Sequence, residues 1–409
     1  MLLKTKKAHE MAQAAELRGA KNLITDAIRR GDTMRKLTTL ITLAVMICLA
    51  SAPALAHKDH EKPLIQIAIL LDTSNSMDGL IQQAKSQLWK IVNEFVMAKR
   101  NGVRPEIQVA LYEYGNDSLP SKEGYIRQVL GFTSDLDKVS EKLFALTTNG
   151  GSEYCGQVIK TAQRQLDWSG ANNDLKVMII AGNEPFRQGP VDYRDSCKAA
   201  INKGIIINTI HCGPYDEGVS GGWQDGARLA DGTYIHIDQD RAVAHIQAPQ
   251  DDEIMRLGAK LNDTYIPYGR KGGEASARQA TQDSNAASVA PGSMVNRAVF
   301  KSTAGYSNTE WDLGDAVAQG TVDLAKVDDD ALPEELKGKS KKDKEEYVAK
   351  KVDERKKIQE KIAKLNKDRR DYVEKEETKM AAESGGETFD SALIKSVRTQ
   401  AAEKSFTFE

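Results

Sequence analysis

Short apolar runs alternate along the first two-thirds of the chain with longer stretches in which apolar residues recur every three or four positions. Ile65–Leu71, Ile107–Tyr114, Leu175–Ala181 and Ile205–His211 are nearly unbroken, as strands buried on both faces of a parallel sheet are. Tyr125–Phe132 alternates more and reads as an edge strand, and Tyr234–Ile237 is a short last strand. Between them, Leu80, Ile81, Ala84, Leu88, Ile91, Val92, Phe95 and Val96 mark one face of a helix starting at Asp78. Further helices are expected at Leu136–Leu146, Tyr154–Trp168, Val191–Lys203 and Asp252–Asn262. Strands alternating with helices predict an α/β fold, a doubly wound, mainly parallel sheet flanked by helices over residues 63–266.

The pattern changes on either side of this domain. Met34-Arg35-Lys36, the mostly apolar run Leu37–Ala50 and Ser51-Ala52-Pro53-Ala54-Leu55-Ala56 have the three parts of a secretory signal. Residues 34–56 are therefore expected to be a signal peptide, with Met1–Thr33 an upstream extension from a misassigned start. The mature chain would begin at His57, outside the cytoplasm, in the periplasm or secreted. At the other end, residues 267–333 are expected to be a linker or irregular arm, because Arg270–Asn308 is rich in Gly, Ala, Ser and Gln. Tyr306–Leu324 regains apolar residues and is expected to dock. Residues 334–409 form a charged helical region. Val348, Val352, Ile358, Ile362, Leu365 and Tyr372 mark a thin stripe that suits a solvated helix docked along one seam better than a coiled coil. A second short helix, with Phe389, Leu393, Ile394 and Val397, would fold back on it.

Charge and composition exclude more than they suggest. A net charge of −2 with Lys and Arg interleaved with Glu and Asp gives no basic patch for nucleic acid. Six His and four Cys show no zinc spacing. Chemistry concentrates instead where the first strand ends, at Asp72-Thr73-Ser74-Asn75-Ser76. A carboxylate and two hydroxyls on alternate residues of a tight loop are oxygen donors suited to a hard octahedral cation such as Mg²⁺. The same residues would also cap the following helix.

Standing after a buried strand and before an amphipathic helix, this stretch resembles the first metal loop of the von Willebrand factor A family, the metal-ion-dependent adhesion site. Thr133-Ser134-Asp135, a short helix and Gly150-Gly151-Ser152 resemble that family's second loop, with Ser152 in place of its usual Thr. Trp223, Gly226-Ala227, Gly232 and Tyr234 resemble the approach to its last strand. The third loop departs: Ala181-Gly182-Asn183-Glu184-Pro185 has Gly182 where the family has an Asp. The resemblance implies that Asp72, Ser74, Ser76 and Ser152 hold Mg²⁺ or Mn²⁺, with Asn183 or Glu184 compensating for the missing acid. It also implies that an open coordination position accepts an Asp or Glu carboxylate of a partner protein.

Cys155, Cys197 and Cys212 would remain after cleavage, an odd number that in an exported protein implies one bridge and one free thiol, or an intermolecular bridge. The expected topology brings all three toward the ligand edge. No complete catalytic constellation is present. The alternatives to a binding module are an exported enzyme or a scaffold without metal. The enzyme would use thiol chemistry at Cys155 or Cys212 with His211 as base, or metal-assisted hydrolysis with Glu153 or Glu184.

Overall fold

The computed structural model describes residues 62–237, 246–384 and 389–408. The expected signal peptide, the upstream stretch and the start at His57 lie outside the described residues. The strands are β1 (Leu64–Asp72), β2 (Ala98–Lys99), β3 (Glu106–Tyr114), β4 (Ile126–Thr133), β5 (Leu175–Gly182), β6 (Ile205–Cys212), β7 (Tyr234–Ile237) and β8 (Thr407–Phe408). Six of them form one sheet in the order β4-β3-β1-β5-β6-β7, parallel except for the antiparallel edge strand β4. The α/β reading and the edge position of the third apolar run are both observed. The strands that read as continuous apolar runs are the interior ones, because each must satisfy two buried faces.

Alternate side chains divide between two cores. Ile65, Ile67 and Leu71 of β1, with Val109, Leu111, Val177 and Ile179, face helices α1 (Asp78–Met97) and α2 (Leu136–Phe144). Ala68, Leu70, Tyr112, Tyr114, Met178 and Ile180 face α3 (Cys155–Gln165), α4 (Tyr193–Ile201) and Trp223. Two short helices, α5 (Tyr215–Gly221) and α6 (Trp223–Arg228), precede β7, and α7 (Asp251–Asn262) closes the α/β unit. Among the described residues no helix is long and apolar enough to cross a membrane.

Residues 272–301 of the stretch expected to be irregular are almost entirely helical. They form α8 (Gly272–Val289) and α9 (Pro291–Lys301), with Pro291 in the first turn of α9, where its missing N–H costs nothing. Sequence periodicity hid α8 because it buries Gln279, Gln282 and Asp283, and it is blurred in α9, where buried Arg297 and Lys301 interrupt the apolar Val295, Ala298 and Val299. Arg297, fully buried, donates to Asp283 Oδ1 (2.5 Å), Asp137 Oδ1 (2.7 Å) and the Gln279 carbonyl (3.1 Å), and its guanidinium lies over Trp89. Lys301 donates to Asp283 Oδ2 (2.6 Å), and the Tyr306 hydroxyl donates to Asp137 Oδ2 (2.6 Å). These contacts fasten α8 and α9 to α1 and α2.

After α10 (Leu313–Ala318), the long charged helix α11 (Lys341–Ser384) docks along one seam, as its thin stripe predicts. Val348 and Ile362 are buried, and between them Arg355 pairs with Asp312 (2.7 Å) and stacks on Tyr265 (4.1 Å). The last helix, α12 (Phe389–Glu403), does not simply fold back on α11. Leu393, Val397 and Ala401 join the core of the sheet, and Gln400 exchanges hydrogen bonds with Asn208, a buried polar residue inside β6. The chain then pairs β8 with β2.

Arg297→Ala should lower unfolding free energy by about 3–5 kcal/mol, because it strands two buried carboxylates that nothing else neutralises in full. Urea denaturation checks this, and a loss within the range of an exposed-surface substitution would refute the fastening role.

Candidate functional site

Parallel pairing brings the carboxyl ends of β1, β3, β5 and β6 to one edge, where an open α/β sheet exposes its loops. The register sets Asp72 beside Tyr114 on one side and, one residue past the Leu71–Ala181 pair, beside Gly182 on the other. Asp72 is completely buried. Its Oδ1 accepts the Ser74 N–H at 2.8 Å, whereas Oδ2 has no hydrogen-bond partner. The loop tightens into a 3₁₀ turn, Asn75–Met77, before α1 begins. Met77 occupies the cap position without a side-chain bond, so neither Asp72 nor the serines cap this helix. Ser74 and Ser76 hydroxyls lie 3.1 Å apart, Ser74 buried and Ser76 exposed.

The second loop is stitched to the first loop and to the turn after β3. Asn149 N–H donates to the Thr73 carbonyl (3.0 Å), Asn116 Nδ2 donates to the Thr147 carbonyl (3.0 Å), and Asp117 N–H pairs with the Gly150 carbonyl. A Cβ on Gly151 would lie 2.4 Å from the Gly115 carbonyl oxygen, so only glycine allows this approach. Ser152 follows, half-buried, next to this contact with the end of β3. Glu153, nearly buried, is held by its N–H to Gln188 Oε1 (2.6 Å).

In the third loop, Ser76 donates to Asn183 Oδ1 (3.2 Å), joining Asn183 to the first loop. The Glu184 carbonyl accepts from the Trp223 indole (2.9 Å) and its side chain is half-buried. Gly182 is crowded: a Cβ there would meet the Tyr114 hydroxyl at 2.6 Å, the Trp223 ring at 3.0 Å and Asp72 Oδ2 at 3.2 Å. Tyr114, which donates to the Ala181 carbonyl (3.0 Å), thus fills space that an acid at position 182 would need. Sequence reasoning missed this role of Tyr114. Its place opposite Asp72 is set by the β1–β3 register, which no local sequence signal marks.

Electrostatics follow from burial. Burial, with Glu153 and Glu184 nearby, pushes the Asp72 carboxyl up to about 8 against the pull of its Ser74 bonds. Glu153 is pushed up to about 7 by burial and by Glu184. Beside this edge a cleft of about 770 Å³ is lined by Glu184, Arg187, His211, Tyr215, Trp223 and His236, among others.

Cys155 opens α3 directly after the second loop and Cys212 ends β6, so both lie at the loop edge near Asp72, whereas Cys197, expected there too, lies a turn into α4. All three are buried, no disulfide joins them, and Cys155 and Cys197 lie in the core on one sheet face while Cys212 lies on the other. Cys155 Sγ sits 3.7 Å from the Tyr114 hydroxyl, and burial pushes its thiol far up. His211 Nε2 is engaged by the Asn183 carbonyl at 3.1 Å, and burial pushes its imidazole down. Each is committed elsewhere, so they do not make a nucleophile–base pair.

Gly182→Asp should destabilise the fold by about 1–3 kcal/mol through overpacking against Tyr114 and Trp223. Thermal melts measure it, and an unchanged midpoint would mean that the third loop yields. In chelator, stability should fall as pH rises from about 4 to about 8. Asp72 and Glu153 keep their protons in the folded chain but lose them near 3.8 and 4.5 when unfolded, so the unfolded state binds fewer protons across that window. Asp72→Asn should flatten that slope.

A family model described as the von Willebrand factor type A domain matches residues 66–220. No curated protein sequence matches the chain. Among solved structures it is similar to the conserved hypothetical protein BatB from Bacteroides thetaiotaomicron (19% identity, 42% of this chain and 90% of that chain, TM-score 0.33). It is similar also to the SpRpn10 VWA domain (17%, 44% and 91%, TM-score 0.34) and to the pilus adhesin SpaC from Lactobacillus rhamnosus GG (14%, 44% and 28%, TM-score 0.33). With its strand order, its first loop at the end of β1 and the family match in hand, the stretch 66–220 is a von Willebrand factor type A domain, a fold that typically serves as a protein-binding module.

Proposed function

We propose that this chain is an exported adhesion-type module. In this reading the loop edge takes Mg²⁺ or Mn²⁺ through Asp72, Ser74, Ser76 and Ser152, and the ion takes an Asp or Glu carboxylate of a partner protein. The observation that carries the proposal is the unpartnered, fully buried Oδ2 of Asp72. A buried carboxylate oxygen without a donor is costly, and a divalent cation relieves that cost. The donor set fits the ion's chemistry, since carboxylate and hydroxyl oxygens suit a hard cation. Among the described residues no cluster of three His, Cys, Asp or Glu suits a metal, so a cation here depends on the serine hydroxyls.

Three neutral hydroxyls leave the ion with much of its charge, which draws a partner carboxylate to the open position. The neighbouring cleft offers room for the partner's adjoining residues. Ion and partner then bind with positive coupling, each raising the other's affinity by the same factor. The thiol-enzyme reading finds no support in the buried, separately engaged Cys155 and His211.

Calorimetry with Mg²⁺ and Mn²⁺ tests the reading. Asp72→Ala should abolish ion binding while the apolar β1 keeps the fold, and a pull-down from the exported fraction should lose its partner in chelator. Equal binding by both proteins, or none by the wild type at millimolar ion, would defeat it.

A further inference from the structure

Asp72 alone is a weak anchor for a divalent ion, and the usual third-loop position offers nothing. Gly182 has no side chain, and Tyr114 and Trp223 stand where one would go. A second acid nevertheless reaches the site from another loop. A Cβ placed on Gly115 would lie 2.7 Å from Asp72 Oδ1 and 2.9 Å from Glu153 Cγ, so the two acidic side chains converge over the bare Cα of that glycine. Gly115 has φ +78°, a conformation that also favours glycine. Glu153 is 5% exposed, its backbone is fixed by Gln188, and its neighbour Gly151 is seated on the Gly115 carbonyl.

The charges that act on this pair are acidic. Glu153 and Glu184 act on Asp72, and Glu184 and Asp117 act on Glu153. No lysine or arginine is paired with either acid among the described residues, in contrast to Asp137, Asp283 and Asp312, whose buried carboxylates each meet an arginine. Two converging buried carboxyls without a counter-charge are held ionised only at a cost, which a cation joining them offsets. The candidates suggested by the third loop are differently occupied. Asn183 accepts from Ser76, and the Glu184 backbone is fixed by Trp223.

We propose that Glu153 is the second acid of the cation site, supplied by the second loop in place of the third-loop acid that Gly182 lacks. This rests on the cation reading above and assigns its charge. Glu153 then has opposite effects in the two states: it strains the metal-free protein and holds the ion in the loaded one.

The test uses the full chain, Mn²⁺ and Mg²⁺ calorimetry, and thermal melts in chelator. Glu153→Gln should weaken Mn²⁺ binding roughly tenfold or more, as the loss of a charged ligand does. It should also raise the melting temperature in chelator by removing a buried acid that has no counter-charge beside Asp72. Glu153→Asp keeps the charge and should bind Mn²⁺ more tightly than Glu153→Gln. If Glu153→Gln melts lower in chelator, Glu153 is a structural residue and the inference fails. It fails equally if Glu153→Gln binds Mn²⁺ like wild type while Asp72→Ala does not, an outcome that leaves the cation reading standing. Wild type that binds neither ion overturns the cation reading itself, and this inference with it.

Discussion

The burial of one carboxylate at the end of the central strand constrains everything around it. Asp72 terminates β1 with no exposure and one oxygen unpartnered, a state that only a rigid surround can impose. The surround is rigid because β1 is paired along its length on both sides, with β3 and β5, and its side chains fill two cores. Glycine is required where backbone or side chains crowd the acid: Gly115 and Gly151 touch, and Gly182 leaves room for Tyr114. The loops at this edge are therefore parts of one packed unit.

Two ways of burying charge stand side by side in this molecule. Arg297 and Arg355 are buried with their carboxylates and with carbonyl or hydroxyl acceptors, so their donors are largely satisfied and the ion groups act as fasteners. At the loop edge, Asp72 and Glu153 are buried beside further acids, and burial pushes both carboxyls up. A paired buried charge is consistent with a structural role, and an unpaired one points to something that binds. That contrast separates the site from the many other charges of the chain.

The C-terminal region completes the α/β unit. Asn208 in β6 finds its partners on α12, and Leu393, Val397, Ala401 and Phe406 enter the same core as the strands. The sheet face covered by α1 and α2 is thus also covered by helices from far along the chain. The opposite face, closed by α3, α4 and Trp223, keeps its cysteines inert through burial.

By itself the sequence determined the alternation of strands and helices, the edge position of β4, the first loop at the end of a buried strand and the seam of α11. In each case the signal was local: apolar runs, helical spacing, or a motif within a few residues. Tertiary structure decided what depends on residues distant in sequence. Helix α8 carries no clear apolar stripe, and α9 interrupts its Val295, Ala298 and Val299 with buried Arg297 and Lys301; the partner of Arg297 on α2, Asp137, lies more than a hundred residues away. The serines' failure to cap α1 depends on a 3₁₀ turn that composition does not announce. The place of the cysteines depends on strand parity, which put Cys212 on the face opposite Cys155 and Cys197. Most of all, the occupation of the third-loop space by Tyr114, and the convergence of Glu153 on Asp72, arise from strand register and from the seating of Gly151 on Gly115. Those are distances between loops, and no spacing along the chain encodes them.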